Sequence, residues 1–507
     1  MVMGTSSSVG KSLLVTALCR IFAQDGWRVA PFKAQNMSLN SYATKDGKEM
    51  GRAQVVQAQA AGIEPTVDMN PILLKPEGDA RSQVVVMGKP WATLQAGNDD
   101  QRHEELWPFV TDALDRLRTQ YDLVIIEGAG SAVEPNLRAS DIVNMRVAQY
   151  ANAPVLLAGD IDRGGVFAHL LGTLDLLTSD ERARIRGFII NKFRGDVNLL
   201  TPALTFIAER TGVPVLGVVP YLRDLRIAEE DSVALDTLTP NSREAPPSRS
   251  SPTTQASGTV DIAVIRLPHL SNFDDFDALA LEANVRVRFV STLDELAQPD
   301  AVILPGTKSA IADLAFLNQT GLAAAIVARA RQRSVRCSAV VGICGGYQML
   351  GTVIRDPLHV ESERDEMAGL GLLPIETIFE TEKATEQVSA QVVANCGFLR
   401  TLHGQTIHGY EIHMGRTQAA APFLRITERG AQAVSEGDGA VDESGSIFGS
   451  YLHGIFDNTN FRRAWLNSLR PHQTSGDALR DVREREYNRL ADAVRAALNM
   501  DAVRALL

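Results

Sequence analysis

Cysteine is scarce in this chain. Its 507 residues hold four, Cys19, Cys337, Cys344 and Cys396, far apart and in no spacing that a metal site or a disulfide framework needs. That excludes a disulfide-stapled secreted scaffold and suits a reducing compartment with one reactive thiol. Positive charge is also short. The 50 Lys and Arg against 61 Asp and Glu leave a formal net charge of −11, which argues against nucleic acid or an anionic membrane as the main partner. No apolar run approaches the length of a membrane span, and no signal-peptide pattern precedes the first motif, so a cytoplasmic protein is expected. Internal repeats are missing as well. The length suffices for two or three domains with proper cores.

One of the few cysteines sits in a distinctive place. Ser338-Ala339-Val340-Val341 reads as a short buried strand, and Tyr347-Gln348-Met349-Leu350 as the first turn of a helix. Between them runs Gly342-Ile343-Cys344-Gly345-Gly346. A thiol at that corner is exposed on a tight turn, glycines let the backbone make the turn, and the helix N-terminus favours the thiolate. The pattern Gly342, Cys344, Gly346, Gln348 resembles the nucleophile elbow of class I, triad-type glutamine amidotransferases.

The chain begins with a second strand–glycine–helix corner. Met1-Val2-Met3 is a strand stub, Gly4 to Ser12 a loop ending Gly10-Lys11-Ser12, and Leu13 to Ala23 has helical apolar spacing. That is the context of a phosphate-binding loop: backbone N–H groups cradle phosphates, Lys11 reaches the outer ones, and the Ser12 hydroxyl can ligate Mg²⁺. Thr5 stands where the strict pattern has glycine, with Gly4 one residue further back. This longer loop resembles that of dethiobiotin synthetase. Strands then alternate with helices: Trp27–Phe32 ending at Lys33, Tyr121–Ile126 ending at Glu127, Pro154–Gly159, Gly187–Ile190 ending at Asn191, and Val215–Val219. This rhythm predicts a doubly wound parallel sheet, with Glu127 in the position of a metal-holding acid opposite Ser12.

From Thr239 to Gly258 the composition turns to Pro, Ser, Thr, Arg and Gln without apolar period, which reads as a flexible linker. The expected organisation is therefore an ATP-dependent amidation domain over 1–238, a linker over 239–258, and a flavodoxin-like α/β amidotransferase domain over 259–507. A closing C-terminal helix carries Leu490, Val494 and Leu498. In the second half, Pro305-Gly306-Thr307 follows a strand, and Tyr451-Leu452-His453-Gly454 follows another. The elbow cysteine needs a histidine to shuttle its proton. His453 is the candidate, and the oxyanion should meet backbone N–H groups of Gly345 and Gly306. A glutamate two residues after the histidine is usual in this class; here that position is Ile455. Glu411 is the substitute considered for orienting His453.

The amino-terminal loop, Lys33–Ser41, Glu49–Gln54, Glu127–Ser131, Asp160–Gly165 and Asn191–Asp196 together resemble the cobyric acid synthase family. So do the elbow, His408–Thr417 and Ser450–Phe456. The resemblance spans nearly the whole chain except the linker. It implies ATP and Mg²⁺ as requirements, with no tightly bound cofactor of the protein's own, since the corrinoid is substrate. It implies ammonia from L-glutamine and amidation of the b, d, e and g carboxylates of adenosylcobyrinic acid a,c-diamide through acyl phosphates. Homo-oligomerisation is left open. By likeness to dethiobiotin synthetase, Gly4, Thr5, Gly10, Lys11 and Ser12 hold the nucleotide phosphates. Asn191 reads the adenine edge, Lys33 faces the acyl phosphate, and Glu49 joins Ser12 and Glu127 on the metal.

Two alternatives stay open on the residues alone. Cobyrinic acid a,c-diamide synthase has the same two domains and amidates other positions. A partition-type P-loop switch protein would use ATP to dimerise, and would leave Cys344 without a role.

Overall fold

The amino-terminal helix of the computed structural model, Lys11–Gln24, is laid against a sheet because Leu14, Val15, Leu18, Ile21 and Phe22 recur on one face. The structure describes residues 1–78, 81–95, 100–228, 259–332, 339–470 and 478–507. The linker expected over 239–258 and Cys337 lie outside the described residues. The chain gathers into two compact units. One comprises Met1–Ser38, Met50–Glu230 and Arg480–Leu507; the other comprises Leu39–Glu49 and Asp231–Leu479.

In the first unit Val2–Gly4, Val155–Asp160, Ile185–Phe193 and Val215–Pro220 form a parallel sheet in that order. Val29–Phe32 pairs parallel with Leu123–Ile126. A bridge from Val2 to Glu127 joins this pair to the sheet beside its first strand. The doubly wound parallel sheet expected from the alternation is therefore present. The spacing did not announce a further four-stranded sheet of Gln35–Met37, Ile72–Gly78, Arg81–Val86 and Lys89–Gln95.

The second unit is built on a sheet ordered Val285–Val290, Val260–Ile265, Ala301–Leu304, Ala339–Ile343, Ile447–Ser450 and Ala440–Val441. Its first five strands are parallel and the last is antiparallel. A second, mostly antiparallel sheet carries the long strands Glu376–Val392 and Thr406–Gln418. Parallel strands buried on both faces read as unbroken apolar runs, which is why Ala301–Leu304 and Ala339–Ile343 were legible.

Two segments sit with the unit that chain order would not choose. The closing helix, Leu479–Ala497, buries Tyr487, Leu490, Ala491 and Val494 in the core of the first unit, among Val15, Leu18, Phe22 and Leu216. Arg20 and Glu484 pair at 2.6 Å, and Asn499 N–H donates to Leu216 O at 2.7 Å. The expectation placed this helix with residues 259–507; its apolar stripe finds its partners at the other end of the sequence. Conversely, Leu39–Glu49 folds with the second unit.

Candidate functional site

In the second unit the chemistry gathers at the carboxyl ends of three neighbouring parallel strands. Leu304 pairs with Gly342, and Gly342 with Gly449, so the segments after Leu304, Ile343 and Ser450 emerge side by side. They carry Gly306, Cys344 and His453. Cys344 caps the helix Gly345–Leu350 with φ 52° and ψ −110°, a conformation that costs a non-glycine residue on the order of 1–3 kcal/mol. Its N–H donates to Ser450 O at 2.9 Å, and its carbonyl accepts from Gln348 N–H at 3.1 Å. The turn is possible because glycine permits close approach. A Cβ on Gly346 would lie 2.0 Å from Leu304 O, and one on Gly342 would lie 2.6 Å from Gly346 O. The Cys344 sulfur is buried and donates to Ile412 O at 3.6 Å.

His453 is 1% exposed and fixed on every side. Its backbone exchanges hydrogen bonds with Tyr410, at 2.9 and 3.2 Å, and its ring lies against the Tyr410 ring with centroids 5.2 Å apart. Nδ1 meets Asp275 Oδ2 at 2.7 Å, while Asp275 Oδ1 accepts from Gly454 N–H at 2.9 Å. That contact places the proton on Nδ1 and turns Nε2 toward the sulfur. Burial works to lower the imidazole pKa. The Asp275 carboxylate and the hydrogen-bonded Cys344 sulfur outweigh it and push the value up to about 10. The group orienting His453 is thus Asp275 and not Glu411. Alternation along Thr406–Gln418 turns Tyr410 toward His453 and its neighbour Glu411 away. Glu411 pairs with Arg429 at 3.1 Å, and burial followed by repulsion from Asp438 raises its pKa to about 7.

The expected oxyanion donors flank this pair. A Cβ on Gly306 would lie 3.0 Å from His453 Cε1, and one on Gly345 would lie 2.5 Å from Thr307 Cγ2. Gln348, the last residue of the elbow pattern, is buried and donates to Tyr451 Oη at 3.2 Å; Tyr451 Oη lies 2.6 Å from Thr417 Oγ1. His413 stacks on Tyr451 at 3.7 Å, gives Nδ1 to Gly415 O at 2.8 Å, and is lowered to about 3 by burial. A histidine kept neutral in this way is a poor rival to His453 for the proton relay.

The first unit brings together most of the residues expected there. Gly10 takes φ +95° at the start of its helix. Lys11 Nζ bridges the loop, donating to Ser6 O at 3.0 Å and to Gly130 O at 2.8 Å. Ser12 Oγ donates to Glu127 Oε1 at 2.9 Å, Lys33 Nζ meets the same oxygen at 3.0 Å, and Gln57 Nε2 reaches Oε2. Gly4 is constrained, since a Cβ there would lie 2.6 Å from Val9 Cγ2 and 3.1 Å from Lys11 Nζ. Thr5 donates its N–H to Ala158 O at 2.9 Å, and its buried hydroxyl has no partner among the described residues. A hydroxyl and a carboxylate in contact behind a phosphate loop are hard oxygen donors of the kind Mg²⁺ takes.

Two expected residues are placed differently. Asn191 Nδ2 donates to Val9 O at 2.7 Å, so its amide braces the phosphate loop. Glu49 Oε2 receives Lys383 Nζ at 2.5 Å, so its carboxylate is paired with a lysine. Among the described residues no cluster of three His, Cys, Asp or Glu could hold a metal by itself. Sequence reasoning missed three further residues. Lys192 joins Ser8 O at 2.6 Å to Asp160 at 2.9 Å, and Asn144 holds the loop after Glu127 by donating to Ala129 O and Ser131 O at 2.8 Å. The third, Asp275, lies in the polar break after Val260–Ile265, where a strand end lining the crevice was the available signal.

Known proteins resemble both halves. Residues 1–234 match the CobQ/CobB/MinD/ParA nucleotide binding domain, and residues 261–461 match the CobB/CobQ-like glutamine amidotransferase domain. A cobyric acid synthase from Dehalococcoides mccartyi is 53% identical over 515 residues, covering 100% of this chain and 98% of the relative. One from Sorangium cellulosum is 52% identical, covering 98% and 96%, and one from Chloroflexus aggregans is 53% identical with the same coverage. With its nucleotide-binding and glutamine amidotransferase halves matched in order and its full length covered at this identity, the chain belongs to the cobyric acid synthase family of glutamine amidotransferase-type ligases.

Proposed function

We propose that the chain amidates the b, d, e and g carboxylates of adenosylcobyrinic acid a,c-diamide, using ATP to activate each carboxylate and glutamine to supply ammonia. The observation that carries the two-site reading is the line Asp275–His453–Cys344 at adjacent strand ends, in a chain that also holds the Lys11–Ser12–Glu127 constellation.

In the glutaminase site the Cys344 thiol proton passes to His453 Nε2, the sulfur attacks the carboxamide carbon, and the developing oxyanion meets the N–H groups of Gly345 and Gly306. His453, held by Asp275, delivers its Nε2 proton to the departing ammonia. It then takes a proton from water as that water opens the thioester, releasing glutamate. In the other site the substrate carboxylate attacks the terminal phosphorus of ATP, the bond to the bridging oxygen breaks, ADP leaves and an acyl phosphate forms. Lys11 neutralises charge on the transferring phosphoryl group. Ser12 and Glu127 would hold Mg²⁺, which when bound neutralises the phosphate oxygens. Lys33 stands beside Glu127 to meet the acyl phosphate. Ammonia adds to the acyl carbon, phosphate leaves, and an amide remains.

The test is high-resolution mass spectrometry and fragmentation of the corrinoid after incubation with ATP and glutamine. Replacement of OH by NH₂ at b, d, e and g supports the reading. Amidation confined to other carboxylates overturns it.

A further inference from the structure

We propose that Tyr42, carried on the strap from Leu39 to Glu49, is a positioning residue for the glutaminase triad. The inference rests on Cys344, His453 and Asp275 being that triad. The strap is a short hairpin, Ser41–Ala43 against Glu49–Gly51, closed by Thr44 N–H on Lys48 O at 2.7 Å and by Gly47 at φ +70°. Leu39–Glu49 folds with the second unit although the residues on either side of it belong to the first.

Its contacts converge on the triad from behind. The Tyr42 ring packs on Tyr410 with centroids 5.3 Å apart, and Tyr410 lies nearly flat on the His453 imidazole, 18° between planes. Tyr42 and Ala43 share an apolar cluster with Tyr410 and Ile412, and Ile412 O is the acceptor of the Cys344 thiol. A second route runs through Asn272. Its Oδ1 accepts from Ser41 N–H at 3.0 Å, its Nδ2 donates to Tyr410 Oη at 3.2 Å, and its carbonyl accepts from Asp275 N–H at 3.2 Å. Asn272 holds φ 51° and ψ 45°, a left-handed conformation that asparagine tolerates better than most residues. So the hairpin backs Tyr410 directly and touches the residue that fixes Asp275. Tyr42 bears on the triad through Tyr410 and Ile412. Each limits where the imidazole of His453 can lie, and small displacements of a relay group are costly in rate. Gln387 Nε2 on Ala43 O and the Lys383–Glu49 pair clamp the strap to the strand Glu376–Val392.

The experiment uses the full-length protein and measures glutaminase kcat and KM for Tyr42→Ala, Tyr42→Phe, Tyr410→Ala and the double alanine variant. Amidation driven by ATP and ammonium salt is measured alongside. Displacing the relay predicts that Tyr42→Ala lowers kcat about tenfold with KM for glutamine nearly unchanged. Tyr42→Phe restores the rate, and the double variant falls no further than Tyr410→Ala alone, because the ring of Tyr42 acts through that of Tyr410. Ammonia-driven amidation persists in Tyr42→Ala, which shows the protein folded. An unchanged kcat, strictly additive losses, or equal loss of the ammonia-driven reaction overturns the positioning role. Cys344→Ala serves as the control for the underlying site: if it retains glutaminase activity, the triad itself is misassigned.

Discussion

The chain makes the same corner twice, strand then glycine loop then helix, and uses it for opposite ends. At the first corner Gly10 takes the left-handed conformation and the residue that matters, Lys11, lies inside the helix with its long side chain folded back over the loop. At the second corner the reactive residue takes the positive φ itself, and the glycines on either side only make room. In the proposed reading the first design offers an anion backbone N–H groups and a lysine charge held across the loop. The second offers one atom, Sγ, held still. In the first loop Thr5 stands where the strict pattern has glycine, and the tight positions are Gly4 and Gly10, where a Cβ would meet the Val9 and Asn191 side chains at 2.6 and 2.3 Å. At the elbow the neighbours are backbone, which yields less than a side chain: carbonyl oxygens stand 2.0–2.6 Å from where side chains on Gly346 and Gly342 would begin.

The strongest way to break this comparison is to remove one corner at a time. Cys344→Ala should lose glutamine-dependent amidation by on the order of 10⁴-fold or more, yet make amide when ammonium salt is supplied at a pH that leaves free ammonia. Lys11→Ala should fail with either nitrogen source, because the phosphoryl charge is no longer neutralised. Coupled synthesis assays with both nitrogen sources separate the two. A folded Cys344→Ala protein that makes no amide from abundant ammonia would break the division into two chemistries.

Next in size is the relay. Asp275→Asn should cut glutaminase kcat by about 10²–10⁴-fold, since it removes the charge that stabilises the imidazolium and no longer enforces the Nδ1–H tautomer. The sign of the pH effect follows. The anion favours the protonated ring and holds His453 near 10, so its loss lets the pKa fall and moves the alkaline limb of the glutaminase profile to lower pH. A limb that stays in place would show that Asp275 is not what sets it. Among the other histidines, His413→Ala should cost less than His453→Ala.

A smaller effect tests Glu127, the acid proposed to hold the metal. Glu127→Gln keeps the shape and the acceptor for Ser12 and Lys33 but weakens the hold on a divalent cation. Titrating Mg²⁺ against the ammonia-driven rate should show a higher metal requirement. An identical titration would make Glu127 a structural partner of Lys33 and Gln57 only.

Both corners were legible as folds of the backbone because each is contiguous: spacing within a dozen residues fixes the turn. The parallel strands were legible for the same reason, as short unbroken apolar runs. What stayed hidden is what the fold assembles from distant segments. Asp275 reaches His453 across 178 positions, and nothing in Phe273-Asp274-Asp275-Phe276 singles out one carboxylate from its neighbour. Glu411 was an available guess because it lies near the right strand, but a one-residue step along a strand reverses the face. The closing helix displayed its apolar stripe plainly, and a stripe says only that some surface covers it. The exchange of Leu39–Glu49 and Arg480–Leu507 between units has no local signature at all.

The smallest expected effect tests that reversal of face. Glu411→Gln should leave glutaminase activity unchanged, because Glu411 faces Arg429 and not the imidazole. It should instead alter how stability depends on pH. Burial and the neighbouring Asp438 hold the folded-state pKa of Glu411 at about 7, above its ordinary value of 4.5. A carboxyl raised in this way binds its proton more tightly in the folded chain, so its contribution is fully present below pH 4.5 and is lost as the pH rises through about 7. Glutamine has no proton to lose, and the variant lacks that component of the decline. Melting temperatures of the two proteins, measured side by side across this window, should therefore converge or cross as pH rises, the glutamine variant gaining relative to the parent. Parallel melting curves would place Glu411 in a more solvated setting than its burial implies, and a loss of glutaminase activity would return it to the relay.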